Sequence, residues 1–270
     1  MKVPKPLTRE ASDAAILLYN DPRSRTDGKV VITLRVMGLG NIPFRLIPSA
    51  NETQHHHAER DDYFVAILGE SMAILVLSTR NAKKRKEIEQ ILGDLGITLH
   101  DLSMYPQAPD VVEDGDTFDV NARKKATETA IALGLWTLGE DSGLVVPALG
   151  GRPGVYSARF AGTQGDDAAN NRKLLAELAS VPVEKRDAYY VCTAALADPT
   201  GHVHAVVEGR CWGRIIEEHR GQGGFGYDPY FLIPEYQQTF AEVSSQAKHA
   251  LSHRGKALQQ LRPILAQLLK

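Results

Sequence analysis

Apolar residues change their pattern part-way along the chain. From Ala73 onward they alternate between strand-like runs and helix-like periods. Ala73-Ile74-Leu75-Val76-Leu77 is a continuous apolar run, the pattern of a strand buried on both faces. A polar, basic stretch follows, and then Ile88, Ile91, Leu92 and Leu95 recur at helical spacing and stop at Gly96. Ile97 to Leu102 predicts a second strand. Thr117 is placed to cap a helix running to Leu133 before Gly134, with Phe118, Ala122, Ala126, Ala130 and Leu133 on its apolar face. Leu135 to Gly139 reads as the end of a strand, and Glu140-Asp141-Ser142-Gly143 as the polar segment at that end.

Further along, Asp166-Asp167 opens a helix with Leu174, Leu175 and Leu178 on one side. Asp187 to Ala197 and His202 to Trp212 flank a turn at Asp198-Pro199-Thr200-Gly201, which predicts a long hairpin. Thr239-Phe240-Ala241-Glu242 matches a capping box and predicts a short helix. The last helix carries Leu258, Leu261, Ile264, Leu265 and Leu268, and Pro263 is expected to kink or interrupt it.

Residues 1–72 are patterned differently. Pro4, Pro6, Pro22, Pro43 and Pro48 break up scattered apolar clusters, and only Val30 to Val36 reads as a strand. His55-His56-His57 is a metal-binding tract or a solvated loop; with no second ligand cluster nearby, the loop is the expectation.

Composition narrows the class. A hydrophobic share of 43% and a charged share of 24% are those of an ordinary globular protein. A net charge of -2 argues against a protein built to neutralise a nucleic-acid backbone. Cys192 and Cys211 fit no zinc spacing and predict small strand residues in a reducing, cytoplasmic setting. The longest apolar tract, Tyr63 to Leu77, is broken by Glu70 and Ser71 and is too short to span a bilayer, so no membrane role is expected.

Several segments carry candidate chemistry. Ser78-Thr79-Arg80-Asn81-Ala82-Lys83-Lys84 lies between strand and helix, where backbone N–H groups, a helix start and lysines can meet an anion; a solvated basic helix start is the alternative. The spacing is not that of a Walker loop. The acid pair Glu140-Asp141 can hold a hard cation and orient water, or can be a polar turn. Glu113 is a metal ligand or a partner of the helix dipole, and Asn121 and Lys125, four apart, share one helix face. Gly223-Gly224-Phe225-Gly226-Tyr227-Asp228-Pro229 surrounds aromatics with glycine, which suits a flat ligand or a plain tight turn. His253 and Arg254 sit at a helix start, where cations oppose the dipole, so a functional reason is expected.

These segments, with Leu149 to Arg159 and Lys248, stand in an order that resembles the inosine/xanthosine triphosphate pyrophosphatases, which clear non-canonical purine nucleoside triphosphates. The resemblance covers about residues 73–270. It departs in three places: Thr79-Arg80-Asn81 where the family commonly has Thr-Gly-Asn, Val120-Asn121-Ala122 where it has Glu-Asn-Ala, and Glu140-Asp141 where it has two aspartates. The Phe225 to Asp228 and Ser252 to Arg254 segments speak against the septum-formation-inhibitor type of nucleotide pyrophosphatase, and Glu113 with Asp141 against a catalytically dead nucleotide-binding module.

The resemblance implies an α/β fold with an elongated mixed sheet, flanking helices and two lobes around a nucleotide cleft. It implies a homodimer, Mg²⁺, and hydrolysis of the triphosphate to monophosphate and pyrophosphate. Carried onto this chain, Glu113, Asp141 and Glu140 would hold the metal, and Asp141 would activate water. Thr79, Arg80, Asn81, Ala82, Lys83 and Lys84 would cradle the phosphates, and Ser142 would touch the nucleotide. Phe225 would stack on the purine, with Gly226, Tyr227 and Asp228 shaping its pocket, while Lys248, His253 and Arg254 would meet the base edge. Residues 1–72 are expected to lie outside the catalytic unit as an N-terminal extension, poorly structured or the product of a mis-assigned start. Gly69-Glu70-Ser71 can be encoded by a purine-rich stretch just before the Met72 codon, as a ribosome-binding site would be.

Overall fold

A computed structural model describes residues 73–269 together with the backbone of four earlier strands. The chain divides into two compact units, Met1–Ala66 and Ile67–Lys270. In the first, β3 (Lys29–Val36) pairs antiparallel with β1 (Ile16–Tyr19), β2 (Arg25–Thr26) and β4 (Gly40–Arg45). The strand expected at Val30 to Val36 is therefore present. The His55 to His57 tract lies outside the described residues, as does most of the expected extension.

The second unit is an α/β fold on one mixed sheet of seven strands, in the order β11-β10-β9-β8-β7-β5-β6. Strands β5 (Ile74–Leu77), β6 (Thr98–Asp101) and the start of β7 (Trp136–Val145) are parallel, joined through α1 (Ala82–Leu92) and α2 (Phe118–Leu133). After α3 (Asp167–Glu177), strands β8 (Asp187–Ala197), β9 (Val203–Ile215), β10 (Phe231–Ile233) and β11 (Gln238–Thr239) continue the sheet antiparallel from β7. Helices α4 (Ser245–Leu251) and α5 (His253–Leu268) close the chain.

Local chemistry sets these boundaries. The Asn81 side chain caps α1 by accepting from the N–H groups of Lys83 and Lys84. Thr117 caps α2 by accepting from Val120, and Gly134 ends it in the left-handed region at φ 65°. Both limits of α2 match the sequence reading. Elsewhere the structure corrects it. The acid pair does not sit at a strand end: β7 runs on through Glu140-Asp141-Ser142-Gly143 to Val145, because β8 pairs with it along its whole length. Thr239 to Glu242 forms the expected bond from the Thr239 N–H to the Glu242 carboxylate, but the segment is a turn, and the helix starts only at Ser245 behind its own cap, Ser244. Pro263 does not interrupt α5. It lies on the exposed side, where water can take the carbonyl that its missing N–H leaves free.

The core has two parts. Leu138, Ala194 and Leu196 pack with Leu75 and Leu77 against α1 and α5 on one face, while Ala195 and Ala197 meet Ala122, Ala126 and Ala130 of α2 on the other. Towards the far end of the long strands, Leu144, Tyr190, Phe231 and Phe240 join Leu174 and Leu178 in a separate cluster. Strands β7 and β8 pass through both, and the polar residues 140–142 lie between. Cys192 and Cys211 are free and buried strand residues, as expected.

Candidate active site

A cleft opens where β7 loses a neighbour. Strand β5 pairs with β7 only as far as Leu77 opposite Leu138, and then turns away into the loop before α1. The next residues of β7 therefore face an opening at the carboxyl end of a parallel strand, the usual place for a ligand in such sheets. The cavity there is about 650 Å³, within the range of small-molecule sites.

Alternation along β7 sends its acids to opposite faces. Asp141 points towards α2. It is 4% exposed, and its carboxylate accepts from Asn121 Nδ2 at 3.1 Å and pairs with Lys125 Nζ at 3.3 Å. Glu113, from the loop before α2, reaches the same ammonium at 3.1 Å. Asn121 also ties the acid loop down, accepting from Gly115 N–H at 2.8 Å. Burial raises the Asp141 carboxyl above its ordinary value, outweighing Lys125 and Lys84, and the Glu113 charge adds to the rise. Burial pushes Glu113 the same way, but Lys125 and Lys84 pull it below its ordinary value. Two carboxylates of unequal acidity thus share one lysine. Among the described residues no three His, Cys, Asp or Glu side chains form a metal cage. The pair of hard oxygen donors nevertheless fits a Mg²⁺ ion, which is held by one or two carboxylates plus substrate phosphates and water.

Glu140 takes the other face and a different role from the one expected. Its two oxygens accept from Arg254 Nε at 2.7 Å and Nη2 at 2.9 Å, and Lys84 Nζ stands 3.3 Å away. These oxygens are committed to cations on α5 and α1, whereas Glu113 and Asp141 converge on Lys125 across the sheet. Burial works against the Glu140 charge, but Arg254 and Lys84 hold its carboxyl well below the usual range.

Arg254 is correspondingly not free to read a base edge. It is 1% exposed, and besides Glu140 it donates to Glu87 and, from Nη2 at 3.1 Å, to Ser142 Oγ. Glu87 also accepts from Lys248 Nζ at 2.7 Å, so this residue of α1 joins both cations expected at the base. The unfavourable position of Arg254 at a helix start is offset by two carboxylates.

The basic loop is more internally bonded than the sequence indicated. Asn81 Oδ1 takes the N–H groups of Lys83 and Lys84, and the Asn81 N–H goes to Thr79 Oγ1 at 3.1 Å. Arg80 turns aside: it donates to Asp110 at 3.0 Å and to the carbonyls of Leu102 at 2.8 Å and Ala108 at 3.1 Å, pinning the following loop. Lys83 pairs with Asp167 at 3.2 Å, leaving Lys84 as the lysine of this loop that faces the acids. Thr79, Asn81 and Lys84 line the cavity. Ala82 is the first residue of α1.

Phe225 lines the same cavity, with Lys248 4.9 Å from its ring centre. Asp228 lies beneath it, accepting from the Phe225 N–H and from Lys248 Nζ at 2.7 Å. Gly224 leaves room for that carboxylate: a Cβ there would sit 2.2 Å from Asp228 Oδ2, and φ is 71°. Tyr227 is buried and donates to the Ser157 carbonyl, and the Gly226 carbonyl accepts from Asn171. His253 is buried, stacked on Tyr190 with centroids 4.7 Å apart, and its Nδ1 has no partner among the described residues. Burial holds its imidazole neutral.

Residues 75–264 match the family model described as the Ham1 family. The chain belongs to the Ham1 family. Among relatives of this Ham1-family chain, the dITP/XTP pyrophosphatase of Rhodopirellula baltica is 54% identical over 196 residues, 73% of this chain and 94% of the relative. That of Desulforamulus reducens is 50% identical over 72% of this chain and 96% of its own length. The solved HAM1 protein of Coxiella burnetii superposes with a TM-score of 0.66 at 39% identity, covering 73% of this chain and all of that one.

Within the Ham1-family region, the site also contains residues that sequence reasoning did not assign. Lys125 and Asn121 form the acid centre, and their four-residue spacing was the available signal. Glu87 stands three residues after Lys84 on one helix, a spacing that places them together. Asp167 accepts from the Gly226 N–H at 3.0 Å, and Arg159 lines the cavity; the sequence marked Asp167 only as a helix start and Arg159 only as the end of the Leu149 to Arg159 segment, with no role for either.

Proposed function

We propose that this chain hydrolyses non-canonical purine nucleoside triphosphates (ITP, dITP and XTP) to the monophosphate and pyrophosphate. The observation that carries the reading is the convergence of Glu113 and Asp141 on Lys125 beside an open strand edge, with Phe225 and a charged network across the cavity. The dITP/XTP pyrophosphatase names of relatives at about half identity support it.

Asp141 orients the attacking water and takes its proton; its Asn121 bond fixes the carboxylate for that role. Glu113 and Asp141 would hold Mg²⁺, which supplies charge neutralisation and polarises a phosphate oxygen when bound. Lys84 and Lys125 face the phosphates, and the start of α1 adds its dipole. Glu140 holds Arg254 and Lys84 in place. Phe225 stacks on the purine, and His253, which lines the cavity, meets the base edge. The homodimer implied by the resemblance and the cytoplasmic setting expected from the two cysteines belong to the same reading. No helix among the described residues is long and apolar enough to cross a membrane.

Pyrophosphate release from ITP, dITP, XTP, GTP and ATP, with Mg²⁺ and with chelator, tests the proposal. Turnover confined to the first three and dependent on the ion is expected. D141N should abolish turnover while nucleotide affinity stays within about tenfold, since the amide keeps the volume and loses the base. Near-normal kcat in D141N would remove Asp141 from this role.

A further inference from the structure

Cations line the cavity, but nearly all are already charge-paired. Arg80 faces Asp110, Lys84 faces Glu140, Lys125 faces Glu113 and Asp141, Lys248 faces Glu87 and Asp228, and Arg254 faces Glu87 and Glu140. Arg159 is the exception: among the described residues it has no carboxylate within 4.0 Å. Its only hydrogen bond to the protein there is from Nη2 to the Glu113 carbonyl at 3.0 Å, and its guanidinium lies 5.3 Å from the Tyr156 ring centre. A triphosphate brings about four negative charges into the cleft, and cations must neutralise them. Paired cations have spent much of their field on their partners, so the unpaired guanidinium is the strongest uncompensated positive charge on the wall.

We infer that Arg159 binds the pyrophosphate half of the substrate, a role that rests on the reading of the cleft as a triphosphate site. The segment carrying it is rigid. Ser157 Oγ accepts from the Leu144 N–H at 2.9 Å and donates to the Gly154 carbonyl at 2.6 Å. Gly143 of β7 permits that approach, since a Cβ there would lie 2.5 Å from both Gly154 O and Ser157 Oγ. On the other side, Asn170 bonds to the Ala158 carbonyl and the Ala161 N–H. A guanidinium on such a base is pre-organised, and its planar fork matches two phosphate oxygens. Its anchor on Glu113 puts it beside the acid centre, whereas Lys248 and Arg254 stand near the Phe225 ring proposed to stack on the purine. Arg159 therefore meets the leaving group and not the nucleoside.

Titration calorimetry of inorganic pyrophosphate and, separately, of IMP into the full chain and its R159Q and R159K variants tests this without relying on turnover. R159Q should weaken pyrophosphate roughly tenfold to a hundredfold, the range for losing a charged hydrogen bond. IMP should change by less than about twofold, and R159K should fall between parent and R159Q for pyrophosphate. Unchanged pyrophosphate affinity in R159Q, or equal weakening of pyrophosphate and IMP, would overturn the assignment. Should R159Q not fold, pyrophosphate affinity in R159K equal to the parent's would do the same. A parent chain that neither binds pyrophosphate nor releases it from ITP would instead remove the triphosphate reading, and this role with it.

Discussion

At the scale of single residues, the site is governed by buried charges that come in sets. Arg254 is held between Glu87 and Glu140, so Arg254→Ala would leave the buried Glu140 and the half-buried Glu87 without their main partner. The expected cost is about 3–5 kcal/mol of stability, the range for breaking a buried pair from one side. Urea unfolding measures it. A variant with parental stability that merely loses preference for ITP over ATP would return Arg254 to the base edge. The same set predicts a pH effect. Burial raises the Glu87 carboxyl, but Arg254 and Lys248 hold it below its usual value of 4.5. A depressed acid stabilises the fold above its unfolded pKa, and this contribution is lost as pH falls through the folded value. Asp141 and Asp228, with raised values, act in the opposite sense, so the comparison must be between parent and variant. Stability measured from pH 7 down to about 3 should fall less steeply in Glu87→Gln than in the parent. Parallel curves would show that Glu87 gains nothing from its cations.

At the scale of elements, β7 does the organising. Its alternation sorts Asp141 to α2 and Glu140 to α1 and α5, and its glycines let the flanking elements come close. A Cβ at Gly139 would lie 2.3 Å from the Ala122 carbonyl and 2.4 Å from the Ala126 nitrogen, both backbone atoms of α2. Gly139→Val should therefore push α2 away from the sheet and carry Asn121 and Lys125 with it. Overpacking of this kind costs about 1–3 kcal/mol or more. A lowered thermal midpoint together with lost activity is expected, and a variant with parental midpoint would mean that α2 can shift without cost. The two ends of α2 were legible because Thr117 and Gly134 act locally, through one cap bond and one left-handed residue. The end of β7 was misread because polar residues in a strand look like a turn until β8 is seen pairing with them.

At the scale of the whole molecule, residues 75–264 carry the family match, and every residue assigned to the site lies within them. We propose that residues 1–72 are dispensable for catalysis. A chain beginning at Met72 should keep the parental kcat and KM and most of its thermal stability. Loss of activity in that chain would show that the extension contributes. Peptides from residues 1–60, recovered by mass spectrometry from the native cells, would end the idea of a mis-assigned start.

The sequence by itself determined the strand–loop–helix texture of the second unit, the ends of α2, the hairpin of β8 and β9, and the set of segments from which the site is drawn. Those features depend on periodicity, capping and turn chemistry, which act over a few residues. Which charges face each other was decided only by tertiary structure. Glu140 and Asp141 are neighbours in sequence yet serve different partners, because a strand sends successive side chains to opposite faces. Glu87 and Arg254 are 167 residues apart, and Arg80 spends its guanidinium on a loop 22 to 30 residues away. Buried charge must be compensated wherever the fold brings a partner within reach, and that reach is set by packing, not by spacing along the chain.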